Sequence, residues 1–182
     1  RLALLDAADI LPVEAPYCGE ISLAVRAWVA ELAQRLTQGA MILLDYGLPR
    51  RELYHPQRDG GTVRCHYRHR VHDDPFWYPG LSDITSHVDF TAVAEAGFDA
   101  GLSVLGYTNQ AQFLINCGIG ELLQEKLGAG DAVTEANLRA NGAVSVLLSL
   151  NEMGELFKVI ALGRGMSQPL LGFTRGDRVH AL

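Results

Sequence analysis

Asp45, Tyr46 and Gly47 follow directly on an apolar run, Ala40 to Leu44. A short continuous apolar run closed by a turn signal predicts a strand buried on both faces, as in the middle of a parallel sheet. The polar triplet then falls at the strand's carboxyl end, the edge at which open α/β sheets bind their ligands. Downstream, the stretch DITSHVDF brings Asp83, His87 and Asp89 together ahead of a helical pattern. Asp89 there suits capping of the first backbone N–H groups. Asp83 and His87 either serve the turn or point into a cleft, where they would hold a cationic group.

Between these two stretches lies the least ordinary part of the chain. Residues 50 to 72 hold Arg50, Arg51, Arg58, Arg64, Arg68 and Arg70 against Glu52 and Asp59, a local excess of +4 in a chain of net charge −6, so the remainder carries −10. His55, His66, His69 and His72 are interleaved with them. Such a loop could receive an anion or an acidic protein surface, or pair with its own neighbours Asp73 and Asp74. His66, His69 and His72 form an HxxHxxH series, but the surrounding β-formers and glycines predict strand or loop. There an odd separation sends side chains to opposite faces, and the spacing is not that of a zinc signature. A Cys65–His66 pair lacks any guarantee of geometry. No GxSxG, GxGxxG or GxxxxGK[ST] occurs, and Gly163-Arg164-Gly165 reads as a turn.

The elements that would position these residues follow from periodicity. Ile21, Val25, Trp28, Val29, Leu32 and Leu36 recur at helical spacing from Glu20, with Gly39 as the stop. Pro49 to Gly61 reads as a long connection turning at Gly60-Gly61. Thr62 to Tyr67 is a short strand and Pro75 to Gly80 a rigid aromatic loop. A helix runs from Asp89 to Ala100 with Phe90, Val93, Ala94 and Phe98 on its apolar side, closed by Gly101. Leu102 to Tyr107 is a strand, Asn109 to Cys117 a helix, and residues 119 to 150 one or two helices broken at Gly128 to Gly130. Leu156 to Leu162 is the last strand, and the final twenty residues form a loop or frayed edge. Pro12 and Pro16 break any helix near the start. Strands alternating with helices predict an α/β fold. Three strands are few for 182 residues, so further strands are expected beside Ala40 to Leu44.

The composition, 48% hydrophobic and 20% charged, is that of a globular domain. The acidic balance speaks against nucleic acid as a general partner, and no apolar run approaches the roughly 18 residues of a membrane-spanning helix. Cys18, Cys65 and Cys117 are widely spaced and odd in number, which predicts free thiols in a reducing compartment such as the cytoplasm. The start at Arg1 predicts a boundary inside a longer chain.

Several blocks taken in order carry a resemblance. GAMILLDYG, ELYHPQRDGGTVRCHYRHR, PGLSDITSHVDF, TNQAQFLINCGI and MGELFKVIALGRG together resemble the carboxyl-terminal half of the MidA family of S-adenosylmethionine-dependent methyltransferases, which includes a mitochondrial complex I assembly methyltransferase. The resemblance implies part of a Rossmann-like Class I methyltransferase sheet with added helices, residues 1–182 forming the substrate side. Ala40 to Asp45 would be the fifth strand, and Leu102 to Tyr107 and Leu156 to Leu162 the final antiparallel pair. It further implies S-adenosylmethionine as cofactor, with its binding half outside these residues. The acceptor would be a protein arginine, in a respiratory complex I subunit or another protein, and the place cytoplasm or mitochondrial matrix. A guanidinium is a poor nucleophile, so Asp45, Tyr46, Asp83, His87 and Asp89 become the candidates to orient it, and Arg58, Tyr67 and His69 to shape the entrance. A fragment of this kind would be inactive alone. Two other readings stay open: a noncatalytic module docking through residues 50–72, and a metal-dependent hydrolase built on the histidine series.

Overall fold

The structure, a computed structural model, describes residues 16–127 and 134–182. Pro12 and the break at Gly128 to Gly130 lie outside these. Ser22 caps α1 (Leu23–Arg35), which places Val29 and Ala33 in the core. Trp28, grouped by spacing with the apolar stripe, is instead half exposed. The helix ends in an extended Leu36, not at Gly39. Gly39, at φ +120°, opens β1 (Gly39–Leu48), so its backbone freedom serves entry into the strand.

A one-turn helix α2 (Arg50–Leu53) and a 3₁₀ turn (Pro56–Arg58) occupy the predicted connection. Then come β2 (Arg64–Tyr67), β3 (Arg70–His72), β4 (Asp83–Thr85) and β5 (Val88–Asp89). Asp89 caps α3 (Phe90–Asp99) by accepting from the Ala92 N–H. Phe90, Val93 and Ala94 are buried as expected, whereas Phe98 is 71% exposed at the helix end. β6 (Ser103–Asn109), α4 (Gln110–Asn116), α5 (Ile119–Leu127), α6 (Glu135–Leu148), α7 (Met153–Leu156) and β7 (Phe157–Arg164) complete the order.

Among the described residues seven strands form two sheets, where three sheet strands and a short strand at Thr62 to Tyr67 were expected. The larger has the order β5-β1-β7-β6, and the smaller β3-β2-β4. β7 runs antiparallel between β1 and β6, the arrangement implied for the fifth strand and the closing pair. Of the smaller sheet only β2 was expected; β3 and β4 were missed because each is three residues long, too short to show a period.

α1 and α3 cover one face of the larger sheet, burying Val29, Ala33, Phe90, Val93, Tyr107, Ile160 and Leu162 together. Phe113 and Phe173 cover the other face over β7 and β6, against Val159 and Ala161. That cover stops short of β1. Ile42 and Leu44, register partners of Ala161 and Val159, are 50% and 47% exposed. The expectation of a strand buried on both faces is therefore corrected for this chain: Met41 and Leu43 pack inward and their neighbours do not. Among the described residues the edge of β1 away from β7 is paired only at Gly47 and Leu48, with Val88 and Asp89. A Cβ at Gly47 would run into the Val88 carbonyl, so glycine lets β5 close on β1 there.

The last twenty residues are not frayed. The Tyr107 N–H donates to Asp177 Oδ1 (2.9 Å), and the Arg178 N–H donates to the Tyr107 carbonyl (2.6 Å). Phe173 is buried, and Arg164 ties the end of β7 to the Leu36 and Ala100 carbonyls, each at 2.9 Å.

Candidate functional site

A cavity of about 340 Å³ opens at the carboxyl end of β1. Its walls come from the start of α1 with Glu20 and Ser22, from Asp45 and Tyr46, from Arg50 and Tyr54, and from the segment Ile84–Asp89. Of the residues expected to do chemistry, Asp45, Tyr46, His87 and Asp89 all line it. The polar triplet falls inside the strand, near its end, because β1 continues to Leu48.

Most acids of the wall are already engaged. Asp89 holds the amino end of α3 and accepts from Arg50 Nε (3.2 Å). Arg50 also clamps Glu95 through both terminal nitrogens (2.7 and 2.6 Å), and Arg26 adds a third contact to that carboxylate. Two parallel N–H···O bonds are the strongest form such a pair takes. The Glu95 bond raises the Arg50 pKa further still, and Arg50 in turn holds the Glu95 carboxyl below the usual carboxylate range. Glu20 accepts from the N–H groups of Thr62 (2.5 Å) and Val63 (2.6 Å) and from the Thr62 hydroxyl (3.2 Å). The Tyr54 hydroxyl donates to the Glu20 carbonyl (2.8 Å), and burial first, then Asp89, pushes its pKa up to about 12.

Of the residues expected from the sequence, three remain to meet a ligand. Asp45 is exposed, and only its Oδ1 is used, by the Tyr46 N–H (2.8 Å). The Tyr46 ring stands edge-on to His87 (5.7 Å) and to Phe157 (5.6 Å). His87 is anchored through its backbone N–H to the Thr62 hydroxyl (2.9 Å), while its buried Nδ1 has no hydrogen-bond partner. Burial, and secondarily Arg58, lower its pKa, so the ring stays neutral where an ordinary histidine would begin to charge.

His87 also borders a shallower groove of about 350 Å³ with Glu52, Arg58, Glu152, Glu155 and Lys158. Glu155 accepts from Arg178 (2.9 Å), and Asn109 and Lys158 contact it as well. Burial pushes its pKa up, but those three partners outweigh burial and leave it lowered. Reasoning from sequence found none of Glu20, Arg50, Glu95 or Glu155 as a site-builder. Each acquires its role from partners tens of residues away, for which no local spacing gives a signal.

The other candidates fall elsewhere. Asp83 is exposed on β4, opposite His66. Arg58 lines the shallow groove, Tyr67 lies in an aromatic cluster, and His69 sits exposed in the β2–β3 turn. Cys65 is fully buried, which removes it as an accessible nucleophile, and all three cysteines are free. The register puts His66 and His72 on opposite faces of the hairpin. Among the described residues no group of three or more His, Cys, Asp or Glu is placed to hold a metal. Nor is any helix among them long and apolar enough to cross a membrane.

With this geometry in place, comparison with known proteins is informative. The model of the family described as "Putative S-adenosyl-L-methionine-dependent methyltransferase" matches residues 5–108. No curated protein matches. Two of the similar solved structures are of COG1565 superfamily proteins from Burkholderia thailandensis, and one of the two is bound to S-adenosyl-homocysteine. Each is 48% identical with a TM-score of 0.90 over 98% of this chain, and the chain covers 48% and 46% of their respective lengths. It thus spans about half of either relative. On the strength of a family match over more than half of its residues, the chain belongs to the S-adenosylmethionine-dependent methyltransferase family.

Proposed function

We propose that this chain forms the acceptor side of a protein methyltransferase, and that the acceptor is an arginine side chain. The observation that carries the reading is the meeting of Asp45, Tyr46 and His87 in one cavity at the carboxyl end of β1. S-adenosylmethionine supplies the methyl group as a sulfonium, which leaves as a thioether. A guanidinium attacks poorly because its lone pairs are delocalised and its charge is positive. The free Oδ2 of Asp45 would accept a guanidinium N–H, and the Tyr46 hydroxyl would hold a second. The neutral imidazole of His87 would take the proton released as the new bond forms. Asp89 acts through Arg50 and α3 and keeps the wall in place. Asp83 would stand outside, and Arg58 would repel a second cation from the shallow groove.

The described residues fit one side of such a donor, not all of it. Glu20 and Asp89 have their oxygens engaged internally and Asp45 uses its Oδ1, so no carboxylate lining the cavity has both oxygens free for a ribose diol, and no glycine-rich turn lines it. The open edge of β1 and the bared Ile42 and Leu44 support a further part of the sheet docking there with the rest of the donor's cradle. In this reading residues 1–182 are part of one domain and inactive alone, and the methylated protein is a respiratory complex I subunit or another protein.

The test is labelled methyl transfer to arginine-containing and lysine-containing peptides. It is run with this chain alone and with a chain extended to the length of its relatives. Transfer to arginine by the extended chain only, reduced about 100-fold or more in Asp45→Asn or His87→Gln, supports the proposal. Transfer confined to lysine, or indifferent to both substitutions, overturns it.

A further inference from the structure

Among the described residues three that are not glycine hold positive φ, namely Arg68 (47°), His69 (63°) and Tyr78 (52°). All three belong to the small β3-β2-β4 sheet and its loops. Arg68 and His69 form a two-residue turn between the paired residues Tyr67 and Arg70. Such a turn ordinarily carries Asn-Gly, because side chains with a Cβ resist left-handed backbone. Two bulky cationic-type residues there put strain into a hairpin that folding alone would not select, a pattern associated with functional surfaces.

The strained turn crowns an aromatic platform. The Arg68 guanidinium lies 5.4 Å over the Tyr67 ring, and Tyr67 stacks on Tyr78 at 4.9 Å. Trp77 packs against Tyr78 (4.8 Å) and His72 (4.6 Å). The register sets Tyr67, Arg70, His72 and Ile84 on one face of the small sheet. Phe76 beside it is 83% exposed, and Leu81 and Ile84 are also bare. Arg64 pairs with Asp73 at 3.4 Å, whereas among the described residues no ion pair engages Arg68 or Arg70. Ile84, on this same face, also lines the 340 Å³ cavity.

We propose that this face is a docking surface for an acidic segment of a partner polypeptide. Its carboxylates would pair with Arg68 and Arg70, and an apolar side chain would sit against Phe76 and Trp77. Arginine and exposed aromatics are the residue types that dominate protein-binding hot spots, and arginine matches a carboxylate with two parallel bonds. A nucleic acid fits less well. A long polyanion meets the chain's net charge of −6, whereas a short acidic segment within a Debye length need meet only Arg68 and Arg70, Asp83 standing with His66 on the opposite face of the small sheet. Docking at this face stands apart from methyl transfer and needs no methyl donor. If transfer also occurs, the route past Ile84 makes a protein with acidic residues flanking its methylated side chain the preferred substrate.

The test measures fluorescence anisotropy of a labelled short peptide of alternating glutamate and leucine on the whole chain, without methyl donor. A lysine-leucine peptide and a single-stranded RNA oligomer serve as competing probes. Binding of the acidic peptide that weakens with salt and falls about tenfold or more in Arg68→Glu plus Arg70→Glu supports the proposal. Arg68→Asn plus His69→Gly should raise thermal stability while weakening binding, which separates docking from misfolding. Equal binding of the lysine peptide, tighter binding of RNA, or binding unchanged in the double charge reversal overturns it. So does a dimer in sedimentation that the charge reversal dissolves, since a second copy would then be the occupant.

Discussion

The cavity wall and the small sheet both draw on the same arginine-rich segment, yet they treat their arginines in opposite ways. Arg50 has its side chain 11% exposed and reaches Asp89 and Glu95, so its charge is consumed inside the molecule. Arg68 and Arg70 lie exposed about twenty residues on, Arg68 over the Tyr67 ring, and among the described residues no ion pair engages either. A shared composition therefore hides two functions: one arginine fixes a wall, and two others face outward. Sequence neighbours within a segment are told apart by which helix happens to pack nearby.

The comparison can be broken at several points. The largest effect is expected from Arg50→Ala, which leaves Asp89 without a counter-charge and Glu95 with Arg26 alone. Urea unfolding should show a loss of about 3 kcal/mol, against less than about 0.5 kcal/mol for Arg70→Ala. Equal losses would erase the distinction. Gly47→Ala comes next. The added Cβ meets the Val88 carbonyl, and separating β5 from β1 should cost about 2 kcal/mol and displace His87. Asp89→Ala should remove a cap worth about 1 kcal/mol, along with one Arg50 contact.

Smaller shifts should appear with pH. The His87 pKa is lowered in the folded chain, so below its ordinary value near 6.5 the unfolded chain binds the extra proton first. Its stability contribution is whole above that pH and is lost as pH falls through the folded value. In His87→Gln the slope of unfolding free energy over that window should flatten. The Glu95 pKa is lowered too, so its contribution is present above the ordinary carboxyl value and disappears on further acidification. Arg50→Ala should shrink that second slope and leave the first.

Much of the frame was legible because it rests on local rules. Asp89 as a cap, Gly101 (φ +81°) as a helix stop, and the strands at Ser103–Asn109 and Phe157–Arg164 follow from residue type and period. Where the reading failed, something distant decided. Gly39 looked like a cap yet opens a strand. The apolar run at β1 reads as buried on both sides, but helices cover only the side of Met41 and Leu43. Phe173 and Asp177 turn a glycine-rich tail into part of the core because Gly106 leaves room for the ring beneath it.

The site divides along the same line. The amino-acid order alone determined that Asp45 and Tyr46 stand near the carboxyl end of a strand, and that Asp89 precedes a helix, since both depend on a few adjacent residues. Only tertiary structure decided that His87 shares a cavity with them while Asp83 does not, and that Arg50 belongs to the wall while Arg68 and Arg70 face outward. Backbone periodicity acts over neighbours, whereas charge pairing and burial act across whatever the fold brings within a few ångströms, and no local pattern encodes that meeting.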